Sequence, residues 1–244
     1  MTTKEIRQAH EEGRNEDALR LILSTFDHID SAAGDQGKHF ITMFQWQLMI
    51  DAGYAPAREA MVRVRDEQIA RLLAGQHTFG AYAESWRHSR FHIVLEMNEK
   101  LNDSRSSYDA FIALLDVAPE VARRHAYRVV PAMVDIGDYT LAERYLDDPL
   151  AELSMLNQYA REFPLYPQRD QPPRMWGELY NFARSVTLMV AVHRGLGRES
   201  EALALHDAAL AGIESLELRA LAQREIAEPG VMHREIVEYR ANQA

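Results

Sequence analysis

The chain has 244 residues, with 27 Lys and Arg against 37 Asp and Glu, for a formal net charge of −10 at pH 7. It is 47% hydrophobic and 26% charged and has no cysteine, which excludes disulfides, thiolate nucleophiles and Cys-based zinc or iron–sulfur sites. The acidic balance speaks against general nucleic-acid binding, which rests on Lys and Arg neutralising phosphates. A chain of this length can bury on the order of 70% of the surface it exposes unfolded.

The N-terminal segment up to Asp17 is polar and charged. It has neither the apolar core of a signal peptide nor the acid-poor character of a transit peptide, so the cytoplasm is the expected location. A turn follows at Glu12–Gly13–Arg14, and Ser31–Lys38 (SAAGDQGK) reads as a loop. The next turn, Ala52–Gly53–Tyr54, opens a helix in which Ala57, Ala60, Met61, Val64, Gln68 and Leu72 share one face. Arg63–Arg65 and Arg123–Arg124 stand beside acids in helical patterns and read as solvated faces.

The apolar runs Ile93–Leu95 and Val129–Val130 also lie inside helical patterns, with turns at Asn102–Asp103 and Ile136–Gly137–Asp138. Phe163–Pro173 (FPLYPQRDQPP) holds four of the nine prolines and must interrupt the helices. Leu179, Phe182, Val186, Met189 and Val190 then share a helix face. The longest apolar stretch, Val186–Val192, is far short of the ~20 residues a membrane span needs. Gly195–Leu196–Gly197 and Pro229–Gly230 punctuate the C-terminal part. The pattern predicts an all-α chain of roughly twelve helices joined by short turns into antiparallel hairpins. No composition shift divides it, so 1–244 reads as a single domain.

The turns repeat a frame. Gly13, Gly137 and Gly197 are each followed five residues later by an alanine: Ala18, Ala142 and Ala202. Ala52 and Ala57 fit the same frame with alanine in place of glycine. Asn102 and Ser107 fit it more loosely, with Phe111 and Pro119 beyond. This pattern resembles the tetratricopeptide repeat, in which a glycine reverses the chain and a small alanine lets two helices approach closely. The anchors at 13, 52, 102, 137 and 197 stand 39, 50, 35 and 60 residues apart, whereas a regular array keeps about 34.

The resemblance implies an α-solenoid, a right-handed superhelix of helix pairs that binds peptides or proteins on its concave face. The first helix of each pair would line that face at positions thirteen, ten, six and three before the anchor. Those offsets give His39, Thr42, Trp46 and Met49, then Ser89, His92, Glu96 and Glu99. They go on to Arg124, Tyr127, Pro131 and Val134, and finally to Arg184, Thr187, Ala191 and Arg194. The groove candidates are Trp46, His92, Glu96, Arg124, Tyr127 and Arg184. The Lys/Asn/Arg set that grips chaperone tails in this family is not found at these offsets.

Other residue patterns suggest different chemistry. His88, His92 and Glu96 recur every four residues on one helix, a spacing that could hold a divalent metal, although no HExxH is present. The Pro-rich loop and the helix after it offer Arg174 and Trp176 as a rim with the side-chain mix of binding hot spots. Of the ten methionines, Met43, Met49, Met61, Met133 and Met189 sit at helical spacing among apolar residues, and core packing is the expected role. No phosphate loop, nucleophile elbow or catalytic carboxylate pair stands out, and no cofactor is implied. The leading expectation is a non-catalytic interaction protein with a protein or peptide partner, and neither nucleic acid nor membrane. The alternatives are a regulatory domain binding a small ligand or metal through the His88/His92/Glu96 face, and a structural homo-oligomer such as a homodimer.

Overall fold

The computed structural model describes residues 3–31, 36–80, 89–168 and 170–242. Among these are thirteen α-helices, one 3-10 turn and no strand beyond an isolated bridge between Thr78 and Ser89. The chain divides into two compact units, Met1–Ala132 and Met133–Ala244. The first holds α1 (Thr3–Glu11), α2 (Asn15–Ser31), α3 (Gln36–Asp51), α4 (Ala55–Leu73), α5 (Arg90–Leu101), α6 (Ser104–Val117) and most of α7 (Pro119–Ile136). The second holds α8 (Tyr139–Glu143), a 3-10 turn at Pro149–Glu152, α9 (Leu153–Glu162), α10 (Arg174–Gly195), α11 (Glu199–Gly212), α12 (Leu216–Ala227) and α13 (Val231–Ala241). The division falls inside α7, where the sequence carries no boundary signal. The Pro-rich segment occupies the gap between α9 and α10, as its prolines require. Of the expected loop Ser31–Lys38, Ser31 ends α2 and Gln36–Lys38 begin α3, and residues 32–35 lie outside the described ones.

Five helix reversals share one local geometry: α1–α2, α3–α4, α5–α6, α7–α8 and α10–α11. Each turns on one left-handed residue, Gly13, Gly53, Asn102, Gly137 or Gly197, with φ between 53° and 87°. The next residue's N–H then reaches back five residues. Arg14 donates to the Ala9 carbonyl at 2.8 Å, Tyr54 to Met49 at 3.1 Å and Asp103 to Asn98 at 2.9 Å; Asp138 donates to Met133 at 2.9 Å and Arg198 to His193 at 2.8 Å. These bonds satisfy carbonyls that a helix end leaves without a partner. Glycine suits the position because it has no Cβ to clash, and Asn is among the few substitutes that tolerate it.

Each following helix then buries a small residue. Ala18, Ala57, Ala142 and Ala202 are fully buried, and Ser107 nearly so. In four cases it stands five residues after the left-handed one and its N–H bonds back to the fourth residue before it. The turn before α4 differs. Gly53, not Ala52, is the left-handed residue, and the Ala57 N–H bonds only three residues back, to the Tyr54 carbonyl at 3.0 Å. With Pro56 in the first turn, the helix starts one residue tighter.

Each unit has its own core. In the first, Phe26, Trp46, Met61, Ile93 and Met97 pack together, with the Phe26 ring edge-on to Trp46 at 6.0 Å. A buried ion pair ties α2 to the start of α5. Both Asp30 and Arg90 have side chains under 5% exposed. Arg90 donates to the two carboxylate oxygens at 2.9 and 3.0 Å and to the carbonyls of Gln76 and Thr78, each at 2.8 Å. Arg71 and Gln68 of α4 complete the cluster. In the second unit, Trp176, Leu179, Phe182 and Val186 of α10 pack with Ala202, Leu221 and Met232. No helix among the described residues is long and apolar enough to cross a membrane.

Candidate functional site

The second unit contains an open groove of about 760 Å³, within the size range of ligand sites. Its longest wall is α10, which contributes Thr187, Val190, Ala191, Arg194 and Gly195. Leu203 and His206 of α11, Ile226 and Ala227 of α12, and Tyr139 of α8 close it. Three of the four positions predicted for the last repeat, Thr187, Ala191 and Arg194, therefore line one groove. The fourth, Arg184, lies on the same face of α10 one turn before Thr187 and is exposed.

Local sequence shapes this groove. Gly195 seats the Tyr139 ring, since a Cβ there would stand 2.2 Å from it. Arg198, at the start of α11, pairs with Glu143 of α8 and holds that short helix beside the groove. The Glu143 carboxyl sits below its usual range, first because of the hydrogen bond from Arg198. Small residues in the middle of the α10 face, Thr187 and Ala191, leave the groove its depth.

Chemically the lining is apolar with a few polar groups. The Thr187 hydroxyl donates to its own helix at the Ala183 carbonyl, 2.9 Å away, and His206 lies 3.0 Å from Asp207. Arg194 pairs with Glu199 at 3.2 Å, both half-exposed, a contact weak enough to be exchanged for a ligand's carboxylate. Arg184 makes no ion pair with any described residue. The arrangement is suited to holding an apolar partner between two cations. No pair of groups in it forms a nucleophile with its base.

The first unit carries a polar cluster at the other predicted positions. His39 of α3 meets Glu96 of α5 at 3.0 Å, and Glu96 is four residues beyond His92. Burial works to raise the Glu96 carboxyl, but the hydrogen bond and charge of His39, with Lys100 and His92, outweigh it and hold it low. His92 is pushed down to about 4, first by burial and then by the charge of Arg128. His125 of α7 is also pushed down to about 4 by burial, then by Arg128 and Arg124. It packs edge-on to Phe91 at 5.9 Å. Both histidines are thus neutral at pH 7. Among the described residues no group of three or more His, Asp or Glu side chains could hold a metal ion. His88, the third member of the metal candidate, lies outside the described residues.

Two expected contact residues are corrected. Trp46 is fully buried and donates its indole N–H to the Ala57 carbonyl at 2.9 Å, so it packs the helix hairpin and offers nothing to a partner. Counting from Ala52 instead of Gly53 rotated the assignment by about 100° around the helix. Thr42 and Met49 are buried for the same reason. Trp176 is 4% exposed and belongs to the core, its ring edge-on to Tyr166 at 5.8 Å. Arg174 lies over the Phe163 ring at 4.8 Å and braces the Pro-rich loop. Tyr239 of α13 ties the same loop down through the Pro167 carbonyl at 3.1 Å.

Arg124 and Tyr127, by contrast, are exposed, as a contact role needs. The sequence reading missed one feature: Phe40 and Phe44, one turn apart on α3, are 68% and 49% exposed. Two aromatics on a face otherwise ending in Asp51 were the available signal.

No protein-family model matches the chain, and neither does a curated protein or a solved structure.

Proposed function

We propose that the chain is a non-catalytic protein-interaction module of tetratricopeptide-like helix pairs, which takes a partner's segment into the groove between α10, α11 and α12. The observation that carries this reading is the coincidence of Thr187, Ala191 and Arg194 with the groove lining, because those positions follow from the repeat frame alone. The five left-handed turns, each followed by a buried small residue, support the same frame. Leu203 supports a docking role. It lines the groove half-exposed, and covering it would contribute about 1 kcal/mol.

A photo-crosslinking amino acid tests this reading in cells that make the protein. Placed at Ala191 it should trap one protein partner, whereas at the exposed Ala208, on the same unit, it should not. No adduct at 191, or equal adducts at both sites, would refute the groove assignment.

The exposed Phe40 and Phe44 favour a second reading, the homo-oligomer, in which α3 meets its copy. Light scattering of Phe40→Ser/Phe44→Ser against the parent chain separates the two. A monomeric parent removes the second reading.

A further inference from the structure

We infer that the segment seated in this groove is an α-helix with one apolar side and acidic residues towards both ends. The inference rests on the interaction reading above and adds the partner's conformation and charge.

The conformation follows from what the groove lacks. An extended peptide carries an unpaired N–H and C=O at every residue, and burying each without a hydrogen bond is costly. Val190, Ala191, Leu203, Ile226 and Ala227 offer no side-chain donor or acceptor, and the Thr187 hydroxyl proton is engaged with the Ala183 carbonyl, which leaves the Thr187 oxygen, Tyr139, Arg194 and His206 as the polar side-chain groups of the lining. Every wall is a helix, whose interior backbone groups are paired, so that spare carbonyls occur only in the last turns of α10 and α12. These few groups cannot pair the backbone of an extended segment residue by residue, so the groove suits an occupant that satisfies its backbone internally, as a helix does. The small side chains of Thr187 and Ala191 favour the same occupant, because they let a second helix lie close along α10.

The charge follows from the ends of that face. Arg184 and Arg194 are ten residues apart, about 15 Å along the axis at a rise of 1.5 Å per residue. Arg184 has no ionic partner among the described residues, and Arg194 has only the exposed Glu199. Two cations flanking an apolar stretch suit a helix with carboxylates spaced about ten residues apart and leucine-like side chains between them. On a chain of net charge −10, Arg184 and the exchangeable Arg194 are the cations of this face, and an acidic partner is the one they attract.

The test is a display selection on the full-length protein, using a library of helices whose single exposed face is randomised. Recovered helices are then measured by fluorescence anisotropy on the parent, on Arg184→Glu/Arg194→Glu and on Ala191→Trp. Leu203→Glu stands in if the tryptophan variant does not melt like the parent. The expected binders carry acidic residues ten or eleven apart. They should lose at least tenfold in affinity on the double charge reversal and weaken with salt, and lysine-for-glutamate versions should recover binding to the reversed protein. Binders that are blocked by Ala191→Trp but are neutral or basic would overturn the acidic helix and leave the groove reading standing. Binders indifferent to groove filling, or none at all, would overturn both. A parent chain that dimerises and becomes monomeric on groove filling would identify a second copy as the occupant and overturn the inference.

Discussion

Asp30 gives the sharpest test of how the first unit is held together. Its carboxylate is 4% exposed and receives two hydrogen bonds from Arg90, itself 3% exposed, with Arg71 on the same oxygen that one of them reaches. Asp30→Ala leaves a buried guanidinium without its counter-charge. Removing one partner of a buried pair costs ~3–5 kcal/mol, whereas an exposed pair costs under ~1. With a urea slope of ~2 kcal/mol per molar, the unfolding midpoint should fall by ~1.5–2.5 M. Far-UV circular dichroism in a urea titration reads this directly. The double variant Asp30→Leu/Arg90→Met should recover most of the loss, because an apolar pair no longer leaves a charge behind.

The pH dependence provides a second arm. Burial works to raise the Asp30 carboxyl, but hydrogen bonds and charges from Arg90 and Arg71 hold it below its usual value. A depressed carboxyl stabilises above its unfolded pKa near 4, and that stability is lost as pH falls through the folded value. The difference between parent and Asp30→Ala should therefore shrink below pH 4. A midpoint shift under 0.5 M at pH 7, ~1 kcal/mol at that slope, would refute the reasoning.

Three further outcomes are expected. His92 and His125, both held at about 4, bind protons in the unfolded chain before the folded one. Stability should therefore decline as pH falls from about 6.5 towards 4, and NMR titration should place both imidazoles near 4; midpoints near 6.5 would sink this account. Ala202→Leu forces three extra carbons into a fully buried contact and should cost ~1–3 kcal/mol in thermal unfolding, whereas Ala208→Leu on the exposed side of α11 should be near neutral. Gly197→Ala should cost ~1 kcal/mol through its left-handed backbone, while Asn102→Gly at the equivalent turn should cost nothing; equal effects would show that the turns are not equivalent.

The helices were legible in the sequence because their signals are local. All six residues assigned to one face of α4 are buried, and the prolines of 163–173 mark the break between α9 and α10. Arg194, Ala191 and Thr187 were legible as groove positions because Gly197 is the true turn residue and the count from it keeps the helix phase. Trp46 was misplaced because a one-residue error in locating the turn moves a side chain to another face. Asp30 and Arg90 carried no signal, being sixty residues apart in a pairing that depends on tertiary structure. Nor did Gly195 announce that it seats Tyr139, since the clash it avoids comes from another helix.

The five turns also bear on how such a chain can vary. Each reversal is complete within about six residues, from the carbonyl that accepts to the N–H that donates. Nothing in it depends on how long the adjoining helices are. The reversals themselves therefore set no limit on the connections between them, and doubling a flexible connection adds only ~0.6 kcal/mol of closure cost. The architecture behaves like punctuation with elastic clauses. Drift in spacing leaves each reversal intact as long as its left-handed residue and its small buried one are kept.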